Sequence, residues 1–327
     1  MNGEMNHDVI VIGASAGGLE VLLGMVERLP AEMPASLFIA SHVAPGYRSE
    51  LPALLSTHGP LQATHPLHEE KIARGHIYVA PPDNHLILRE GFVQVVRGPR
   101  ENGHRPAADA LFRSASVAYA ARVIGVVLSG YGDCGTAGMM SIKARGGICV
   151  AQSPESAVAP DMPRSAIERA GVDHVVTPDK LPLLLTRLAA SPAAPARPLA
   201  LAPAIDLLEG RKRGTLAELA CPTCQGVLTE ARTSNFEQFR CHVGHTFTLD
   251  SLVREQDEEM ERALWAAVRA LEESAALGRR MSTHAAGELK RRYEETGQTQ
   301  RQQADLIRGM LLSAAGSFEP EKEAESE

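Results

Sequence analysis

Short apolar runs alternate along the first 190 positions with stretches whose apolar residues recur every three or four places. Residues 8–12 (DVIVI) form a continuous β-branched run, as in a strand buried on both faces of a parallel sheet. After a turn of small residues, Leu19, Leu22, Leu23, Val26 and Leu29 recur at helical spacing until Pro30 stops them. Residues 37–40 (LFIA) repeat the strand signal and end at Ser41-His42, and 48–57 read as a helix. From 61 to 97 the texture changes. Residues 76–80, 85–88 and 92–96 read as short antiparallel strands around Pro81-Pro82 and Glu90-Gly91 turns. The first rhythm then resumes, with helices expected at 107–121, 136–145, 163–170 and 180–189. Strands are expected at 123–128, 147–152 and 172–176. This pattern predicts an α/β domain over 7–190: a doubly wound, mainly parallel sheet with a small antiparallel β insertion.

Beyond residue 190 the pattern breaks. Residues 191–204 (SPAAPARPLALAPA) carry four prolines without apolar periodicity and open a Pro/Ala-rich linker drawn here to 217. A small zinc-ribbon-like module is expected at 218–248. From 249, Leu252, Val253, Met260, Ala263, Leu264, Ala267, Val268 and Leu271 trace a long amphipathic helix. A more polar helix follows at 284–314, completing a helical region over 249–315. The glutamate-rich tail at 316–327 is expected to be disordered.

Composition narrows the function classes. A chain of 327 residues, 44% hydrophobic and 22% charged, is globular and long enough for two domains. Its net charge of −7, with basic clusters only at 211–213 and 290–292, argues against nucleic-acid binding. No run approaches the roughly 18 apolar residues of a membrane span, and the N-terminus is not a signal peptide. Of five cysteines, three belong to a metal-ligand pattern; Cys134 and Cys149 remain as free thiols, which fits a reducing cytoplasm.

Two motifs carry chemistry. Gly13-x-Ser15-x-Gly17, between a strand and a helix, has the form of a nucleophile elbow that lifts a serine hydroxyl above the sheet edge. The N–H groups of the next helix could stabilise an oxyanion. His42, ending the neighbouring strand, is the candidate base, and Asp133, after the 123–128 strand, the candidate acid. The bland alternatives are a small-residue turn for Ser15 and a helix cap for Asp133. A dinucleotide site is disfavoured: Ser15 replaces the second glycine of that fingerprint, and no acidic residue ends the second strand. Arg105 could hold an acidic group of a substrate or pair locally, and Cys149 reads as a buried small apolar residue.

The second motif is Cys221-x2-Cys224 followed, after sixteen intervening residues, by Cys241-x3-His245. Its spacing fits a closed four-ligand structural zinc site, with Gly226 and Gly244 easing the turns around the ligands. His242, adjacent to Cys241, is the less suitable imidazole.

Together IGASAGG with Ser15, SHVAPG with His42, GHIYVAPPDNHL, HRPAADALF, LSGYGDCGTAG and MPRSAIERAGVDHVV resemble the chemotaxis protein-glutamate methylesterase family over residues 7–190. The resemblance implies a serine hydrolase that removes methyl esters from glutamates of chemoreceptor-type proteins and deamidates certain glutamines. It implies a Ser15–His42–aspartate triad, no catalytic cofactor, and a methylated receptor as partner, with a methyltransferase as a second one. The family's aspartate stands where this chain has Cys134, one place after Asp133. Either Asp133 replaces it or the protein is a weakened or inactive scaffold. The chain opens on the catalytic strand, so control by a preceding phosphoacceptor domain is not expected.

Overall fold

A computed structural model describes residues 6–42, 49–194, 214–232 and 236–315. The expected linker from 195 to 213 and the expected acidic tail from 316 lie outside them. Contacts divide the chain into two compact units, Met1–Leu252 and Val253–Glu327.

In the first unit, seven strands form one parallel sheet: β1 (Val9–Ala14), β2 (Ser36–Ser41), β3 (Ala63–Thr64), β5 (Ile77–Val79), β8 (Val123–Val127), β9 (Ile148–Gln152) and β10 (His174–Val176). Their order is β10-β9-β8-β1-β2-β5-β3. Alternation along the strands sorts side chains to two faces. Ile10, Ile12, Leu37, Ile39, Ile124 and Val126 meet α1 (Gly18–Val26), α2 (Leu51–His58) and α6 (Leu181–Ala189) on one side. Val9, Val11, Phe38, Val123 and Val127 meet α3 (Ala108–Tyr119), α4 (Thr136–Ala144) and the segment from α5 (Asp161–Ser165) through a π turn at Ala166–Ala170 on the other. A sheet covered on both faces explains the unbroken apolar runs.

The β insertion has the expected three strands but a different member. β4 (Glu70–Lys71), β6 (His85–Arg89) and β7 (Phe92–Val96) form the antiparallel sheet, ordered β4-β7-β6. Residues 77–79, expected as a third antiparallel strand, instead pair in parallel with β2 and β3. All three are buried, and Tyr78 stacks on Phe38 with ring centroids 5.3 Å apart. Burial on both faces places this strand in the main sheet.

The metal-motif module adds an antiparallel sheet of β11 (Thr215–Ala220), β12 (Val227–Arg232), β13 (Glu237–Cys241) and β14 (Thr246–Thr248) in chain order. Its β12–β13 hairpin lies between the two pairs of motif residues, Cys221/Cys224 and Cys241/His245. Among the described residues, the module's buried core is Cys221, Leu228, Phe239, Cys241, Phe247 and Leu252, with half-buried Ala217 packed against it. It packs on the α/β domain: Phe236 joins Ala137, Met140 and Ala144 of α4, and a bridge links Thr246 to Glu101.

The helices of the second unit are α7, which begins in the first unit (Leu249–Ser282), and α8 (Gly287–Ala315). They run antiparallel, Gly297 lying against Ala275 and Gly278 against Tyr293, while Glu272 pairs with Arg308. No described helix is long and apolar enough to cross a membrane.

Candidate active site and metal centre

β1 is the strand at which the sheet reverses its winding, since β2 lies on one side of it and β8 on the other. The crevice at the carboxyl ends of such strands is the usual ligand site of open α/β sheets. Ser15 stands there, one residue beyond β1. Its N–H donates to Ser129 O at 2.9 Å and its carbonyl accepts from Gly18 N–H at 3.0 Å. Gly17 makes the sharp turn with φ 73°, and a Cβ there would lie 2.5 Å from Val158 Cβ. Ser129, which sequence reasoning passed over, fixes the elbow: its hydroxyl donates to Ala16 O at 2.7 Å and accepts from Ala159 N–H at 2.9 Å. Gly130 lets the β8 loop close on the serine, because a Cβ there would sit 2.7 Å from Ser15 Cβ. Among the described residues, no side-chain hydrogen bond engages the Ser15 hydroxyl.

His42 ends β2 at the matching level. Ala14 pairs with Ser41 in the ladder, and His42 N–H donates to Ala14 O at 3.1 Å, so Ser15 and His42 leave adjacent strands side by side. The half-buried His42 ring stacks on His104, with centroids 3.7 Å apart and planes 16° from parallel. His104 sits in a turn closed by two backbone bonds to Glu101. The next residue, Arg105, pairs locally: Nε and Nη2 donate to Asp83 at 2.9 and 2.6 Å, and Nη1 donates to Gly98 O at 2.7 Å.

The loop after β8 carries Asp133 and Cys134, both buried. Gly135, not Asp133, occupies the N-cap of α4. Asp133 Oδ1 accepts from Thr248 Oγ1 at 2.9 Å, and its Oδ2 pairs with Arg169 at 3.3 Å. Cys134 Sγ accepts from Ala108 N–H, 3.3 Å away, at the start of α3. Burial, with Asp109 adding to it, pushes the Cys134 thiol well above its ordinary range. It is therefore neutral, and Asp133 is the carboxylate this loop offers. Cys149 is a buried apolar filler, its thiol pushed up to about 12 chiefly by burial.

Asp109 is a further buried carboxylate. Its Oδ1 accepts from Gly138 N–H at 2.7 Å, and Oδ2 from Asn102 Nδ2 at 3.0 Å. Burial raises it to about 6, against the opposing bonds from the Gly135 and Gly138 N–H groups. Asn102 Oδ1 accepts from Thr248 N–H and Ser251 Oγ at 3.0 and 2.9 Å. Asp109 and Cys134 lie in motifs already singled out, yet nothing in their spacing pairs them with Asn102 or Thr248.

In the module, one ligand atom from each of Cys221, Cys224, Cys241 and His245 lies within 4.8 Å of all the others. Cys224 and Cys241 sulfurs are 3.7 Å apart, and His245 Nδ1 is 3.7 and 3.5 Å from those of Cys221 and Cys241. A tetrahedron with Zn–S bonds of about 2.3 Å has S···S edges of about 3.8 Å. The four residues fit a zinc ion. The first turn differs from expectation in one detail: Gln225, not Gly226, takes the left-handed conformation, with φ 60°. Burial, helped by the Arg105 and Arg100 charges, lowers the His245 pKa and favours the neutral ring a metal needs.

The profile of the CheB methylesterase family matches residues 10–185. A Leptospira interrogans relative named for protein-glutamate methylesterase and protein-glutamine glutaminase activity is 36% identical over 185 residues, 56% of this chain and 96% of its own. A Geobacter metallireducens protein-glutamate methylesterase/protein-glutamine glutaminase is 38% identical over 53% of this chain and 49% of its own. The crystal structure of the Thermotoga maritima CheB methylesterase catalytic domain superposes with a TM-score of 0.53 at 32% identity, covering 55% of this chain and 98% of that one.

Proposed function

The chain belongs to the CheB methylesterase family, and we propose that it hydrolyses γ-glutamyl methyl esters on chemoreceptor-type proteins through Ser15, His42 and Asp133. The observation that carries this reading is the register that sets Ser15 beside His42 at the carboxyl edge where the sheet reverses. Ser15 Oγ attacks the ester carbonyl while His42 takes its proton. The oxyanion is held by N–H groups at the start of α1. Methanol leaves with the proton from His42, and water then cleaves the acyl-serine by the same route, releasing glutamate. A glutamine amide at the same carbonyl would lose ammonia instead, the second activity in the relatives' names.

An imidazolium formed beside Ser15 needs a fixed negative charge, and a neutral Cys134 cannot supply it. Asp133 is a carboxylate buried in the same loop, where it accepts from Thr248 and Arg169. The module contributes a closed tetrahedral site for structural Zn2+, which supplies folding energy and no reaction step. The expected setting is the cytoplasmic face of a receptor array, where a partner methyltransferase would supply the substrate. The decisive experiment is methanol release from a methylated chemoreceptor fragment by the wild type, Ser15→Ala and His42→Gln. Release by the wild type alone supports the reading; equal release by Ser15→Ala overturns it.

A further inference from the structure

Asp133 is held in part from outside its own domain. Thr248, 115 residues away, donates its hydroxyl to Oδ1. Arg169 spans Oδ2 of Asp133 and Oδ2 of Asp250, at 3.3 and 3.0 Å. Thr248 is itself locked by a reciprocal cap at the start of α7: its N–H donates to Ser251 Oγ at 2.9 Å, and its Oγ1 accepts from Ser251 N–H at 3.2 Å. Thr246, on the same short strand, accepts at its carbonyl from Asn102 N–H at 2.7 Å and donates from its N–H to Arg100 O at 3.3 Å. Phe236 covers α4 directly after the loop. Thr246, Thr248, Asp250, Ser251 and Phe236 each lie within a few residues of a candidate metal ligand or of the module's core. His245 precedes Thr246, and two of the six core residues are themselves ligand cysteines. A core that small does not hold its shape without the metal.

We propose that Thr248 is a positioning residue for ester hydrolysis, and that the metal-bound module acts through it as a clamp on the Asp133 loop. This rests on the hydrolase reading above. With metal bound, β14 presents the Thr248 hydroxyl and fixes one carboxylate oxygen of Asp133, while Arg169 holds the other. Without metal, β14 loses its anchor at His245, the interface at Asn102 opens, and the acid is no longer held at one angle. Catalysis by this chain is thereby tied to metal occupancy of a site that touches no substrate.

The full zinc-loaded chain tests this with two readouts, methanol release and hydrogen exchange at residues 129–136. Thr248→Val should keep its zinc and its exchange pattern across β12 and β13. Its loop should exchange faster, and kcat should fall on the order of 10- to 100-fold with little change in KM. Thr248→Ser should restore both readouts. Arg169→Gln, which leaves the cap and the metal site intact, should loosen the same loop. Stripping zinc with a chelator under reducing conditions should raise exchange in the module and in 129–136 together. Unchanged exchange at 129–136 in the stripped protein, or wild-type kcat in Thr248→Val, overturns the proposal. If the wild type releases no methanol, the hydrolase reading fails, and the exchange data alone decide whether the module clamps the loop.

Discussion

The two ends of the candidate triad are held in opposite ways. Ser15 and His42 are placed by the sheet itself: backbone hydrogen bonds run the ladder on past β1 and β2 and bring the two residues out side by side. Asp133 is placed by side chains, from Arg169 and from Thr248 of the metal module. A ladder constrains a position through many cooperative backbone bonds, and changing one side chain moves little of it. A carboxylate held by side-chain partners depends on each of them. The nucleophile end is thus robust scaffold, and the acid end is the place where this chain can be tuned.

The largest expected effect tests the robust end. Ser15→Ala should lower methanol release by at least about 10⁴-fold while the melting temperature stays within a few degrees of wild type. A folded, active variant would remove the elbow from the chemistry. Next comes the choice of acid. Asp133→Asn should lower kcat by roughly 10²- to 10⁴-fold, whereas Cys134→Asp should leave kcat within about tenfold. A large gain in Cys134→Asp with no loss in Asp133→Asn would mean the acid is missing from the native loop.

Stability comparisons sharpen the contrast further. Phe236→Ala removes the aromatic contact with α4 and should cost about 3 kcal/mol. Hydrogen exchange should localise that loss to the module and α4, sparing β1 and β2; uniform loss would deny the division between the two ends. The smallest effect is pH-dependent. The folded-state pKa of Asp109, about 6, lies above its ordinary 3.8, so the folded state binds the extra proton more readily. Its contribution is fully present below about 4 and falls away as pH rises through about 6, by on the order of 2 to 3 kcal/mol. Urea melts between pH 4.5 and 7 should show that slope in the wild type but not in Asp109→Asn. Equal slopes would place the Asp109 titration elsewhere.

Much of the fold was legible. Continuous apolar runs at 8–12, 37–40 and 123–128 announced central parallel strands, because only a sheet covered on both faces tolerates them. Residues 76–80 misled for a physical reason: a three-residue buried strand looks the same in sequence whether its partner runs parallel or antiparallel. The four candidate metal ligands were singled out from spacing alone, since two turns must present four donors to one point, and the structure groups them. The left-handed turn residue was not, because Gln225 adopts it beside a glycine that offered a more obvious choice.

What the amino-acid order determined by itself is local: a serine on a tight turn, a histidine closing the next strand, four ligands at workable intervals, and a cysteine where an acid was expected. Periodicity and turn chemistry act over a few residues, so they can be read along the chain. Only tertiary packing decided what becomes of Asp133 and Asp109. Their partners Thr248 and Asn102 are hydroxyl and amide groups of no distinctive pattern, brought together by burial of a surface formed by segments more than 100 positions apart.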